Sequence, residues 1–239
     1  MAERFYCPEL SKDGRLALEG GEARHLARVR RLGPGDVVEV FDGRGFATRA
    51  EVVEAGRDRV ELRTLGDPLA DRAAACRLTL ATAVPKGERF DWLIEKATEL
   101  GVERLVPLVT ERSVVDPRIA KLDRLRRVVV EAAKQCGRNR LMELDRPTPW
   151  PAFLAAQGET ARWMAHPGGR SPSAWPRPRL GGRATLAIGP EGGFTEAEAE
   201  AAGAAGWRTI RLGATRLRIE TAGLAGCSML LALCEGPDE

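Results

Sequence analysis

Two short stretches near the end of the chain combine residue types able to do chemistry: Gly189-Pro190-Glu191-Gly192-Gly193-Phe194 and Leu217-Arg218-Ile219-Glu220-Thr221-Ala222. A loop of glycine and proline exposes backbone N–H and C=O groups with no side chain in the way, which suits a ligand held by its polar edges. Glu191 is the one carboxylate inside the glycine loop. It can accept hydrogen bonds from a ligand, take up a proton, or cap a helix. Arg218 offers a planar, permanently charged fork suited to stabilising an anion as it forms; a salt bridge to Glu191 or Glu220 would be its structural use. His166, one of two histidines, precedes Pro167 and can serve as a general base at its ordinary pKa. Neither G-x-G-x-x-G after a strand nor G-x-x-x-x-G-K-[ST] occurs, which disfavours a nucleotide-phosphate cradle and a nicotinamide-dependent oxidoreductase. On spacing alone GPEGGF reads equally as a tight turn with no ligand.

Local punctuation supplies the elements that must position these residues. Residues 184–188 read as a short buried strand, and Thr195 three residues before Glu198 marks a capping box for a helix running through Ala205 and stopped by Gly206. A strand over 207–212, a loop over 213–218 and an apolar helix over 221–234 complete a βαβα order. Both loops then lie at the carboxyl ends of strands, where open parallel sheets bind ligands. Upstream, a buried strand (78–84), an amphipathic helix (88–100) closed by Gly101, a strand (104–109) and a helix (117–136) continue the alternation, which implies an α/β domain with a largely parallel sheet. Residues 167–182 form the one low-complexity stretch and read as a mobile loop. Before residue 72, short alternating runs (37–41 and 47–53), broken by Asp42-Gly43 and Gly33-Pro34-Gly35-Asp36, read as a small β-barrel, with a linker from Asp67-Pro68.

The chain has 239 residues, 44% hydrophobic and 30% charged, enough for one or two ordinary cores. The start MAERFYCPEL lacks an apolar signal region, and the apolar run over 222–234 is too short to span a bilayer, so a soluble, cytoplasmic protein is expected. Five cysteines with no C-x-x-C spacing indicate neither a disulfide framework nor a zinc site, and no metal is expected. Cys227 and Cys234, seven apart on one helix face, read as buried thiols. The net charge is only +3, but the cations are 32 Arg against 5 Lys. Arg is the better fork for phosphates and stacked bases, although a GC-rich genome gives the same bias. A helix over 22–32 would set Arg24, Arg28 and Arg31 in one continuous basic stripe, with His25 amid it. Lys134, Arg138 and Arg140 form a second cluster, with Asn139 placed to read a base edge. Such stripes are also ordinary solvated faces.

GPEGGFT and RLGATRLRIETA, with His166-Pro167 upstream and EKATELGV, EAAKQCGRNR and HLARVRRLGPGD further back, resemble the RsmE family of 16S ribosomal RNA uridine methyltransferases, enzymes of the SPOUT class, over about residues 4–232. Ile219 stands where that family more often carries Thr or Ala. The resemblance implies a PUA-like β-barrel RNA-binding domain over 1–72 and a trefoil-knotted SPOUT domain over 73–239. It implies methyl transfer from S-adenosylmethionine to the ring nitrogen at position three of a uridine in 16S ribosomal RNA of the small subunit, by a homodimer. Residues and resemblance together give a donor pocket of His166, Pro167, Gly189, Pro190, Glu191, Gly192, Leu212, Gly213, Leu217, Arg218 and Thr221. They make Arg218 the anion-stabilising group with Glu191 assisting, and give RNA contacts from Arg24, His25, Arg28, Arg31, Arg112, Arg138 and Arg140. Lys86, Lys96 and Glu99 also match, with structural ion pairs as the default reading. The alternatives are a SPOUT methyltransferase on another RNA or on a ribose hydroxyl, and a non-catalytic RNA-binding factor for ribosome assembly. An intact pair of GPEGG and LRIETA blocks argues against the last.

Overall fold

The computed structural model describes residues 3–10, 13–71, 75–115, 122–156, 158, 160–175, 177–179 and 181–234. The chain forms two compact units: Met1–Arg72 with Val130–Leu141, and Ala73–Val129 with Met142–Glu239. The first is therefore not a contiguous stretch of sequence.

In the first unit, strands β1 (Arg4–Tyr6), β2 (Arg15–Glu19), β3 (Val37–Phe41), β4 (Phe46–Ala55), β5 (Arg59–Thr64) and β6 (Leu69–Ala70) form one sheet in the order β1-β3-β4-β5-β2, with β6 on β4. Only the β1–β3 pair is parallel. Strict alternation sends Leu16 and Leu18, Val38 and Val40, Ala50 and Val52, and Val60 and Leu62 into a single core with Phe5. Both end strands feed that core, so the sheet curls around it. Helix α1 (Gly20–Arg24) and the turn after it cover the same core through Ala23 and Leu26.

The helix expected over 22–32 needs correction. After Arg24 the backbone widens into a π-turn over His25–Val29, Arg30 N–H donating to the His25 carbonyl and Leu32 N–H to that of Leu26. Arg31 then adopts φ 57, the left-handed conformation that ends a helix. Arg24, Arg28 and Arg31 thus do not share one continuous stripe.

The end of helix α3 (Leu122–Cys136) belongs to this first unit. Ala133 packs with Phe41 and Ala47, and Tyr6 and Leu141 lie against them. Lys134 is 8% exposed, with Nζ 3.1 Å from Glu22, 3.2 Å from Glu131 and 5.6 Å above the Phe5 ring. It is a structural cation, not a member of a surface basic cluster. The expected start of this helix, Pro117, lies outside the described residues.

The second unit holds β7 (Arg77–Ala83), α2 (Arg89–Glu99), β8 (Arg104–Val109), β9 (Glu143–Leu144), β10 (Thr148–Pro149), α4 (Trp150–Ala155), β11 (Ala161–Arg170), β12 (Arg183–Ile188), α5 (Glu196–Ala204), β13 (Arg208–Ile210) and α6 (Ile219–Cys234). Its sheet runs β10-β8-β7-β12-β11-β13, with β9 on β8, and every pair is parallel. Central strands β7 and β12 are apolar and buried along almost their whole length, as parallel strands covered on both faces must be. Helix α6 packs on β7, β12 and α2. A second apolar cluster gathers Trp150, Phe153, Met164, Phe194, Ala202 and Trp207 under α4 and α5.

Strand β11 runs over Ala161–Arg170, so the first residues of the stretch expected to form a mobile loop over 167–182 belong to a strand instead. Arg170 pairs with Ile210 after a register shift, a 3-10 turn follows at Pro172–Ala174, and the buried Trp175 donates its indole N–H to the Arg170 carbonyl at 3.0 Å. Gly169 permits this close approach. A Cβ there would lie 2.4 Å from the Ile210 backbone.

Candidate active site

Parallel pairing of β12, β11 and β13 sets their carboxyl ends side by side, so the segments around His166, Gly189 to Gly193 and Leu212 to Arg218 line one end of the sheet. In the glycine loop Pro190 is buried while Glu191 and Gly192 are exposed, and Gly193 N–H turns back to the Pro190 carbonyl at 2.8 Å. The loop ends in the expected capping box: Thr195 accepts from Glu198 N–H at 3.2 Å, and Glu198 Oε2 accepts from Thr195 N–H at 2.9 Å.

That capping carboxylate has a second partner which sequence reading missed. Glu198 Oε1 accepts from Glu111 N–H at 2.9 Å, and the neighbouring Arg112 donates through Nη1 to the Gly192 carbonyl at 2.9 Å. The turn after β8, itself closed by Thr110 N–H donating to Ser113 Oγ at 2.9 Å, is thereby tied twice to the glycine loop. A Cβ on Gly192 would lie 3.3 Å from Arg112 Cδ, so the bare glycine lets the arginine lie across it. The capping box was legible from Thr195 and Glu198; their link to Glu111, 87 residues away, has no local signal.

Opposite, residues 213–218 are exposed and Leu212 is half-buried. Among the described residues, no backbone N–H from Gly213 to Arg218, nor those of Glu191 and Gly192, donates to a protein acceptor. The Arg218 guanidinium likewise has no hydrogen-bond or ion-pair partner there, while its carbonyl accepts the Ala222 N–H at 2.8 Å. The salt bridge to Glu191 or Glu220 does not form. Glu220 is buried; its Oε1 lies 3.8 Å from Arg89 Nε, and its Oε2 has no hydrogen-bond partner. His166 is half-buried in β11, its Nδ1 accepting Gly168 N–H at 3.2 Å; Pro167 and, on the first turn of α6, Thr221 are exposed. Free amides, two leucines and an unpaired guanidinium fit a small molecule with polar edges and an apolar body.

Among the residues expected to touch RNA, Arg24 pairs with Asp58 at 2.8 Å and His25 packs edge-on against Phe5 at 5.9 Å. Arg28 and Arg31 are exposed with no ion partner among the described residues. Arg30, unremarked in the sequence, pairs with Glu3. Arg138 is half-buried, and Arg140 is exposed and bridges to Gly43 and Arg44. Asn139 gives its Oδ1 to Arg4, so that acceptor is not free to read a base. Lys96 pairs with Glu95 at 2.8 Å and with Glu99 at 2.7 Å, as a structural role requires.

Cys7, Cys76, Cys227 and Cys234 are buried and Cys136 is exposed, all as free thiols. Burial pushes Cys76 up to about 12 and raises Cys227 and Cys7 as well. Among the described residues no group of three or more His, Cys, Asp or Glu is arranged to hold a metal ion, and no helix is long and apolar enough to cross a membrane.

The chain thus combines a curled β-unit with a parallel sheet that carries helices on both faces and three loops gathered at its carboxyl end. The sequence matches the RNA methyltransferase domain family over residues 72–231 and the RNA methyltransferase PUA domain family over residues 18–65. The chain belongs to the ribosomal RNA small subunit methyltransferase E family. It is 33% identical to that enzyme of Synechocystis over 95% of this chain and 76% of the relative, and 30% identical to that of Bacillus subtilis over 90% and 89%. The crystal structure of ribosomal RNA small subunit methyltransferase E from Neisseria gonorrhoeae bound to S-adenosyl methionine superposes with a TM-score of 0.90 at 29% identity, covering 98% of each chain.

Proposed function

We propose that this protein transfers the methyl group of S-adenosylmethionine to small-subunit ribosomal RNA, at the ring nitrogen in position three of a uridine of the 16S molecule. The observation that carries this reading is the gathering of three strand-end loops at one end of the sheet, with free backbone amides and an unpaired Arg218, in a chain of this family.

S-adenosylmethionine supplies an electrophilic methyl group on a positively charged sulfur, so the chain's own task is orientation and charge control. The amides of Glu191, Gly192 and residues 213–218 present donors to the ligand's acceptor edges, and Leu212 and Leu217 cover its apolar face. Arg218 faces the uracil: removing the imide proton spreads negative charge onto two carbonyl oxygens, and a planar fork matches that pair. Glu191, exposed at the rim, accepts hydrogen bonds or the proton.

The trefoil knot belongs to this reading. It is supported by α6 leaving edge strand β13 and returning to pack on the central β7 and β12. A homodimer is supported by Leu224, Met229 and Leu231, half-exposed on α6, and by Trp92, 46% exposed on α2. Residues 1–72 completed by 130–141 serve as the RNA-binding unit, and 73–129 with 142–239 as the transferase, in the cytoplasm where ribosomes are assembled. The test is incubation of the full chain with methyl-labelled S-adenosylmethionine and small-subunit RNA, naked or assembled, followed by nucleoside mass analysis. N3-methyluridine is expected. Label in a ribose methyl ether would move the target to a hydroxyl, and no label with tight RNA binding would leave an assembly factor. Sedimentation of a fully active monomer at micromolar concentration would remove the dimer.

A further inference from the structure

Beside β13, the last strand of the sheet, lies a cavity of about 550 Å³ whose lining includes Arg170, Trp175, Trp207, Arg208 and Thr209. Its residues belong to neither the glycine loop nor the 212–218 loop. Among the described residues no carboxylate lines it. Arg170 and Arg208 are both exposed and make no side-chain hydrogen bond or ion pair among the described residues. Trp207 carries a buried indole N–H with no acceptor. Trp175, by contrast, spends its N–H on the Arg170 carbonyl and so fixes the wall that carries this arginine.

Two uncompensated guanidiniums on one cavity repel each other and attract an anion that accepts several hydrogen bonds at once. The size falls within the range of small-molecule sites and accommodates a nucleotide. Strand β13 runs from this cavity toward the 212–218 loop: Leu212 follows Ile210 by two residues, roughly 7 Å of extended chain. We propose that the cavity between Arg170–Trp175 and β13 receives a phosphate of the substrate RNA strand, giving the methyltransferase unit its own RNA contact independent of the N-terminal unit. This rests on RNA being the substrate.

The test uses the full chain carrying Arg170→Gln with Arg208→Gln, and a second pair, Arg170→Lys with Arg208→Lys. The probe is a fluorescein-labelled single-stranded RNA dodecamer, read by anisotropy across a salt series, with S-adenosylmethionine affinity measured by calorimetry on the same samples. The glutamine pair should bind RNA about tenfold more weakly and lower the salt slope by roughly 0.7, the value for one phosphate contact on a single strand. The lysine pair should retain most of the slope, and donor affinity should be unchanged in both. Unaltered RNA affinity and slope in the glutamine pair would overturn the proposal. Loss of donor affinity would overturn it differently, by making the cavity part of the donor pocket. A wild type that binds uridine monophosphate as tightly as the dodecamer, with the glutamine pair losing both, would identify a free-nucleotide site instead. Methyl transfer to ribosomal RNA by the wild type is scored separately. Its failure beside a positive anisotropy result would sink the enzymatic reading and leave the RNA contact standing.

Discussion

Arg112 lies across Gly192 with its Nη1 2.9 Å from the glycine carbonyl, so the turn after β8 braces a loop that follows β12, two strands away in the sheet. An arginine at a strand end is easily taken for a substrate contact. Here at least one of its five donors is spent on the protein. Arg112→Ala should weaken S-adenosylmethionine binding about fivefold to tenfold, the worth of one charge-assisted hydrogen bond near a surface, and Arg112→Lys should recover part of it. Gly192→Val, which pushes the arginine aside and fills the loop, should abolish donor binding with little change in thermal stability. Calorimetry decides both; a fall in RNA affinity alone would return Arg112 to the substrate.

The Glu198 carboxylate holds two backbone N–H groups, those of Glu111 and Thr195. Replacing it with Ala should cost about 2 kcal/mol in urea denaturation, the upper end for a lost cap, because Glu111 N–H is orphaned along with Thr195 N–H. Glu198→Gln keeps one acceptor oxygen and should cost about half as much. Equal stability of all three proteins would reduce the link to a surface contact.

Arg218→Lys keeps the charge but loses the planar fork. Single-turnover methyl transfer should slow by at least about tenfold while donor affinity changes little. Raising the pH should partly restore the variant's rate, because hydroxide then shares the removal of the imide proton. A defect confined to donor affinity would remove the anion-stabilising role.

In the first unit, Arg24 is held by Asp58 and the π-turn sets Arg31 apart from it. Arg28→Ala with Arg31→Ala should therefore flatten the salt dependence of RNA binding by roughly 1.4, whereas Arg24→Ala should have a much smaller effect. A larger loss from Arg24 would mean that RNA displaces Asp58.

The buried thiols predict an alkaline limit to stability. Burial lifts Cys76 to about 12 and raises Cys227, whereas an unfolded chain ionises cysteine near ~8.5. Below that value both states keep the proton and stability does not depend on these groups. Between about 9 and 12 the unfolded state sheds protons the folded state retains, so stability falls as pH rises. Cys76→Ala should make the loss of unfolding free energy above pH 9 shallower than in wild type. An identical slope would assign the alkaline limit to other groups.

Much of this is legible in the sequence alone. Thr195 and Glu198 announced α5, Gly101 closed α2, and the runs in β7 and β12 announced a parallel sheet, because each depends on neighbours within a few residues. The π-turn at His25–Val29 was not readable: its residues keep helical spacing, and only the demand that Leu26 reach the core while Arg31 turns left-handed breaks the period. Strand pairing at Arg170 was hidden by proline and glycine, which look like loop until Ile210 is brought against Gly169. Glu220 also escaped. A charged residue between Ile219 and Thr221 gives no hint that its carboxylate will be buried with one oxygen unpartnered.

Lys134, Ala133 and Leu141 complete the interior of a unit whose strands end near residue 70. The chain leaves that unit, builds part of the next, and comes back to finish it. A gene fragment stopping at the apparent boundary would leave Phe41 uncovered by Ala133 and Glu22 without Lys134. The two halves therefore cannot be shuffled between proteins like beads on a string, and any lineage that inherits this first unit must inherit the middle of the gene with it.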